Sequence, residues 1–350
     1  MATSPLNTSE FDYYLPSDLI AQEPIEPRDS SRLLVLNRDG NEIEHHRFHH
    51  LSRHLRAGDV LVFNDSRVVP ARIFAKREDT GSNAEFLLLY RLESGVWRAL
   101  GRPGRRLRPG TRFYVNNDTG ADISIEVLGV GEDGIRTIRI SSEEWIGRVG
   151  RIPLPPYVHT PLKNPERYQT VYSRWPGSIA APTAGLHFTE GLLRSLLAQG
   201  IRQVFVTLHV GLDTFRPVKE KDPRDHVLHT EYFDLGQEAA QEINTAHEEG
   251  RRVIAVGTTT VRVLEQAAAL SKLKGSFRLL PSTGWADLFI LPGHHFQLVD
   301  AMITNFHLPR STLLMLVSAF AGRERILSAY QTAIDRNYRF YSFGDGMMIL

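Results

Sequence analysis

Between residues 60 and 150 the chain alternates apolar and polar side chains in short runs. Examples are Glu85-Phe86-Leu87-Leu88-Leu89-Tyr90, Val96-Trp97-Arg98-Ala99-Leu100, Ala121-Asp122-Ile123-Ser124-Ile125-Glu126-Val127-Leu128 and Ile135-Arg136-Thr137-Ile138-Arg139-Ile140. A period of two sends neighbouring side chains to opposite faces, so such runs, separated by Gly and Asp turns, predict a small all-β module closed as a barrel. After residue 151 the period changes. Residues 190–199 and 237–249 carry apolar positions at helical spacing, stop at Gly200 and Gly250, and lead into the apolar runs 203–209 and 252–256. Repeated helix, glycine, strand units predict a mostly parallel sheet with helices on its faces. The expected architecture is an α/β main domain, residues 1–60 and 151–350, with a β-barrel domain, residues 61–150, inserted into it. Pro153, Pro155 and Pro156 stiffen the return.

Pockets in such sheets open where strands end, and there polar islands break the apolar frame. They read Ala181-Pro182-Thr183-Ala184-Gly185-Leu186-His187-Phe188, Val206-Thr207-Leu208-His209-Val210-Gly211, Asp225-His226-Val227-Leu228-His229-Thr230-Glu231, Val256-Gly257-Thr258-Thr259-Thr260-Val261-Arg262 and Ile303-Thr304-Asn305-Phe306-His307-Leu308-Pro309. Hydroxyls, amides and imidazoles at several strand ends of one half-chain point to one shared site.

Each island has a plain alternative. His226 and His229 stand three apart with acidic neighbours, which suits proton transfer; a structural network competes, and a zinc site would want a further ligand in helical register that is not there. Gly257 followed by threonines at a helix start suits an anion or a ribose, against an ordinary threonine cap. The Asn305-Phe306-His307 triplet suits stacking and edge-reading of a purine, against a buried, satisfied histidine. The Pro182–Phe188 turn lets backbone approach a ligand closely, a weak signal alone. Gly129-Val130-Gly131-Glu132-Asp133-Gly134 fits the dinucleotide-binding pattern, yet a period-2 strand follows it where a helix is required, so it is read as a hairpin turn.

Composition narrows the class. Of 350 residues, 42% are apolar and 23% charged, which is ordinary for a globular protein. No apolar stretch approaches the roughly 20 residues needed to span a bilayer. The polar start, residues 1–10, has no signal-peptide pattern, so secretion is not expected. With no cysteine, disulfides, thiolate metal sites and cysteine nucleophiles are excluded. A net charge of +1 decides nothing about a polyanionic partner, but Arg98, Arg102, Arg105, Arg106, Arg108 and Arg112 concentrate positive charge locally. They form either a solvated hairpin connector or a phosphate-contacting edge.

Taken in order, these segments resemble the S-adenosylmethionine:tRNA ribosyltransferase-isomerase family of queuosine biosynthesis. The resemblance runs nearly end to end, adding Phe11-Asp12-Tyr13-Tyr14-Leu15-Pro16, Leu19-Ile20-Ala21-Gln22, Arg28-Asp29-Ser30-Ser31-Arg32-Leu33, Gly58-Asp59-Val60-Leu61-Val62-Phe63-Asn64-Asp65-Ser66-Arg67-Val68 and Tyr338-Arg339-Phe340-Tyr341-Ser342-Phe343-Gly344-Asp345. It implies a cytoplasmic monomer with an α/β domain and an inserted barrel. The implied reaction moves the ribosyl portion of S-adenosylmethionine onto 7-aminomethyl-7-deazaguanine at the tRNA wobble position. The product is epoxyqueuosine, with adenine and methionine released. S-adenosylmethionine is then a consumed substrate, and neither a metal nor a separate cofactor is implied.

Removing a proton beside a sulfonium needs a base, and expelling adenine needs a proton donor. His209, Asp225, His226, His229 and Glu231 are the expected acid/base candidates. Thr183, His187, Thr258, Thr259, Arg262, Asn305 and His307 are the expected substrate contacts, and Arg102, Arg105, Arg106 and Arg108 the expected tRNA contacts, with Arg28, Arg32 and Arg67 as alternatives. The chain departs from the family pattern at Gly211-Leu212-Asp213-Thr214-Phe215, where Asp213 replaces the usual glycine, and at Leu228-His229-Thr230-Glu231, which keeps the polar groups. Two other classes compete. A methyltransferase would show an acidic-Gly-x-Gly turn, which is not found; a non-catalytic RNA-binding module would have no need of the histidine islands.

Overall fold

The computed structural model describes residues 6–40, 42–115, 123–131, 134–211, 217–228 and 230–350. It divides into two compact units, Met1–Arg67 with Pro155–Leu350, and Val68–Leu154.

The larger unit is built on a nine-stranded sheet. From one edge the order is Ser282–Ala286, Glu231–Leu235, Arg202–Leu208, Val60–Asn64, Val253–Val256, Ala301–Asn305, Gly346–Ile349, Arg32–Leu36 and Ile43–Arg47. The four central strands, from Arg202–Leu208 to Ala301–Asn305, run parallel. Gly346–Ile349 pairs parallel to Arg32–Leu36 but antiparallel to Ala301–Asn305, and both edges are antiparallel. The sheet is therefore mixed, and the expected mostly parallel arrangement holds for the four central strands but not for the sheet as a whole. At the Ile43–Arg47 edge the physical cause is connection length. Central strands are joined through helices, whereas the edge strand Ile43–Arg47 returns directly beside Arg32–Leu36.

Strict alternation splits the central side chains between two cores. Val60, Val62, Val253, Ala255 and Met302 face one apolar cluster, which takes in the helices Gln237–Glu248, Thr258–Leu273, Thr312–Ala321 and Arg323–Asp335. Leu61, Phe63, Ile254, Val256 and Ile303 face the other, covered by the helix Glu190–Ala198 through Leu192 and Leu196. Strands buried on both faces read as unbroken apolar runs, which is why Val60–Asn64 shows no polar alternation. Thr189 caps the Glu190–Ala198 helix by accepting from the Leu192 amide at 3.1 Å, and Gly200, at φ +79°, turns the chain out of it.

The smaller unit is a closed six-stranded barrel of Arg72–Arg77, Asn83–Glu93, Val96–Arg102, Arg112–Tyr114, Ser124–Val130 and Ile135–Ile140. Every pairing is antiparallel. Ile73, Phe86, Phe113, Ile125, Val127 and Ile138 fill its interior, as the period of two predicts. The boundary differs from the expected residue 61, because Val60–Asn64 is a central strand of the large sheet. At the glycine-rich segment the Gly131 amide donates to the Ile135 carbonyl at 2.8 Å, and the chain continues as the strand Ile135–Ile140, antiparallel to Ser124–Val130. No helix among the described residues is long and apolar enough to cross a membrane.

Candidate active site

The strand ends at the centre of the large sheet open into one pocket, with about 570 Å³ of empty space including its mouth. Thr183, Thr258, Thr259, Asn305 and His307 all line it, together with Tyr157, Phe306, Tyr341 and Ser342. Three islands well separated in sequence thus meet as expected. Gly257, at φ +94°, carries the chain from the Val253–Val256 strand into the helix Thr258–Leu273. No side chain caps that helix, so its first-turn amides are left for an electron-rich ligand at the positive end of the dipole. Thr260, by contrast, is wholly buried and donates back to the Val256 carbonyl at 2.8 Å.

Asn64 lies behind the pocket lining and is bonded to it through Thr259. Its Nδ2 donates to the Leu208 carbonyl at 3.0 Å and to Thr259 Oγ1 at 3.3 Å, and its Oδ1 accepts from the Leu208 and Ser66 amides at 3.0 and 3.1 Å. Beside it, Asp65 Oδ1 accepts from Thr207 Oγ1 at 2.7 Å, while burial pushes the carboxyl above its ordinary range. Ser178 Oγ donates to Ser66 Oγ at 2.8 Å and accepts from the Val210 amide at 3.0 Å. Asn64, Asp65 and Ser178, which stand behind the lining and do not form it, were not among the expected residues. The signal was present, since the Asn64-Asp65-Ser66 triplet ends an apolar strand as the other islands do.

His187 and His307 are buried and neutral, each pushed down to about 3 chiefly by burial. His307 Nε2 lies 2.8 Å from Thr304 Oγ1, and its amide donates to the Tyr330 hydroxyl at 3.0 Å. His187 stacks on Phe48 with centroids 4.7 Å apart and lies 3.2 Å from Asn305 Nδ2.

The expected acid/base cluster separates. Glu231 forms a buried ion pair with Arg262 and also accepts from the Gly211 amide at 2.6 Å. Neither group lines the pocket, and each cancels the other's charge. Glu231 and Arg262 are thus held in a buried ion pair and do not stand as a free acid and a free cation. His226 Nδ1 lies 2.9 Å from Glu220 Oε2, and Asp225 ends a short 3-10 turn, Pro223–Asp225, exposed to solvent. His229 and Asp213 lie outside the described residues.

His209, which likewise does not line the pocket, is held tightly by its neighbours. Its ring stacks on Tyr232, 5.8 Å away at 19°, and the Gly177 backbone lies so close that a Cβ there would sit 2.7 Å from the ring. Burial holds its pKa below the ordinary histidine value, and Nδ1 has no hydrogen-bond partner among the described residues. A neutral imidazole with an uncommitted nitrogen can accept a proton.

In the barrel unit Arg102, Arg105, Arg106 and Arg108 are all exposed. The loop carrying them is held from below by the buried Arg136, which donates to the Leu107 carbonyl at 3.0 Å and the Gly104 carbonyl at 2.9 Å. Among the described residues, one group brings metal-type ligand atoms together: Glu44, His46 and His54, within 4.8 Å of one another. None of the three lines the pocket, and His46 Nε2 lies 2.9 Å from Glu44 Oε2.

The family model described as queuosine biosynthesis protein matches residues 8–349. The chain is 54% identical, over 347 residues covering 99% of it and 100% of the relative, to the S-adenosylmethionine:tRNA ribosyltransferase-isomerase of Dehalococcoides mccartyi. It is 48% identical to the Acetivibrio thermocellus protein of the same name, covering 98% of this chain and 100% of that one. Among solved structures it is similar to the S-adenosylmethionine tRNA ribosyltransferase of Thermotoga maritima, at 40% identity and a TM-score of 0.56, over 98% of this chain and 100% of that one. With matches of this extent along its whole length, the chain belongs to the queuosine biosynthesis protein family.

Proposed function

We propose that this enzyme transfers the ribosyl portion of S-adenosylmethionine to 7-aminomethyl-7-deazaguanine at the wobble position of tRNA. It isomerises the transferred group to the epoxycyclopentane of epoxyqueuosine and releases adenine and methionine. The observation that carries the reading is the convergence of Thr258, Thr259, Asn305 and His307 on one pocket at an uncapped helix start, in a chain of this family.

In this reading S-adenosylmethionine is a substrate, and no separate cofactor or metal takes part. Its nucleoside lies against Thr183, Thr258, Thr259 and Asn305. The sulfonium acidifies the adjacent C–H bonds, and His209, neutral and uncommitted at Nδ1, removes the proton. The exposed Arg102, Arg105, Arg106 and Arg108 hold tRNA phosphates, and the wobble base is presented from an unstacked loop. The protein works as a monomer in the cytoplasm.

The test is incubation of purified protein with S-adenosylmethionine and a tRNA bearing 7-aminomethyl-7-deazaguanine, followed by chromatography and nucleoside mass analysis. Adenine release coupled to a mass gain on the tRNA is expected. S-adenosylhomocysteine in its place would mean methyl transfer, and RNA binding without turnover would mean a non-catalytic module.

A further inference from the structure

Asn305 sits in the pocket wall, 2% exposed, and its two amide ends are chemically distinguishable. Nδ2 lies 3.1 Å from the Tyr341 carbonyl, which can only accept, so this end must be the NH2. Its second contact, at 3.2 Å, is His187 Nε2, which therefore accepts. A neutral imidazole has one N–H, so His187 carries it on Nδ1 and donates it to Ser31 Oγ, 2.8 Å away. Both Asn305 donors are thereby committed. Oδ1 is buried and has no hydrogen-bond partner among the described residues.

The backbone makes room for this arrangement. Asn305 pairs in register with Gly346, and a Cβ at Gly346 would lie 3.2 Å from Phe48 ring carbons and 3.6 Å from His187 Nε2. The absence of that Cβ lets the Phe48–His187 stack reach the strand end.

An orphaned, buried acceptor on a residue that lines a ligand pocket asks for a donor from the ligand. We propose that Ser31 and His187 are positioning residues: they hold the Asn305 amide so that its Oδ1 receives a hydrogen bond from the exocyclic amine of a nucleobase and disfavours the oxo counterpart. The inference rests on the nucleoside-site reading above. Two substrates in that reading carry such an amine, the adenine of S-adenosylmethionine and the deazaguanine of the tRNA.

Calorimetric titration of the full chain separates them. One arm compares S-adenosylmethionine with its 6-oxo counterpart; the other compares tRNA bearing 7-aminomethyl-7-deazaguanine with tRNA bearing the same base lacking its 2-amino group. The wild type is expected to favour the amine by roughly 10- to 100-fold in one arm, and His187→Phe, which preserves the stack on Phe48, and Ser31→Ala to reduce that ratio to about threefold or less. A ratio near one in both wild-type arms, or a ratio unchanged in both variants, overturns the inference. Should His187→Phe fail to fold, Ser31→Ala alone decides. Equal binding of amine and oxo ligands with adenine release intact removes this inference only; absence of both S-adenosylmethionine binding and turnover removes the nucleoside-site reading and this inference with it.

Discussion

Glu231 and Arg262 lie against one another in the interior of the large unit, 6% and 8% exposed, at the two ends of a buried ion pair. Arg262 also donates to the Leu288 carbonyl at 3.3 Å, and the Gly211 amide caps Glu231. Removing one partner strands the other charge away from water. Glu231→Ala is therefore expected to destabilise the protein by about 3–5 kcal/mol, and the double variant Glu231→Leu/Arg262→Met to recover most of that loss. Urea denaturation of the three proteins checks this; a mild effect of Glu231→Ala on stability with complete loss of turnover would restore Glu231 to the chemistry.

Gly177 sets the position of His209. Its place against the ring leaves no space for a methyl group, and in the proposed role of His209 as base a displacement of about 1 Å costs roughly 100-fold in rate. Gly177→Ala is expected to reduce kcat by that order while S-adenosylmethionine affinity changes little. A variant with unaltered kcat would remove His209 from the role of base.

Asn64 satisfies the Leu208 amide and provides the shorter of two side-chain contacts to the Leu208 carbonyl, the other being Ser178 Oγ at 3.5 Å. Asn64→Ala leaves the Leu208 and Ser66 amides without their side-chain acceptor, at about 1–3 kcal/mol for each stranded group. Both stability and turnover should fall, whereas Asn64→Asp, which keeps the accepting end, should retain more of each. Equal loss in the two variants would contradict the hub role.

The buried histidines impose a pH dependence on stability. His187 and His307 titrate near 6.5 when unfolded and at about 3 when folded. Between these values the unfolded state binds more protons, so their contribution is fully present above pH 6.5 and is lost as pH falls, by up to about 1.4 kcal/mol per pH unit for each group. Asp65 and Asp345, whose carboxyls burial pushes upward, act in the opposite sense. The comparison that isolates the histidines is the slope of unfolding free energy between pH 6.5 and 5 in wild type and in His187→Phe. The variant should show the shallower slope, and identical slopes would mean that His187 is not buried neutral.

The exposed arginines of the barrel unit should matter only to RNA. Replacing Arg105 and Arg106 by Ala is expected to weaken tRNA binding and to lower the salt slope of log K by about 0.9 for each phosphate no longer neutralised, with S-adenosylmethionine affinity unchanged. An unaltered salt slope would leave the cluster as a solvated connector.

Periodicity along the chain determined the kinds of element: the period-2 runs that became the barrel, the helix ending at Gly200, and the unbroken apolar strand at Val60–Asn64. The same local pattern picked out Thr183, Thr258, Thr259, Asn305 and His307 as strand-end polar groups, because a polar break at the end of an apolar run is visible within a few residues. Tertiary structure alone decided partnership. Glu231 and His226 read alike as acidic and basic members of one island, yet one is neutralised by Arg262 and the other sits beside Glu220. Ser31, His187 and Asn305 come from three distant segments and share one chain of hydrogen bonds. Strand direction at the sheet edges, and the place of Val60–Asn64 in the large sheet, likewise depend on which strands meet. Side-chain period is set by local backbone geometry, while charge cancellation and hydrogen-bond direction are set by what lies within a few ångströms in space.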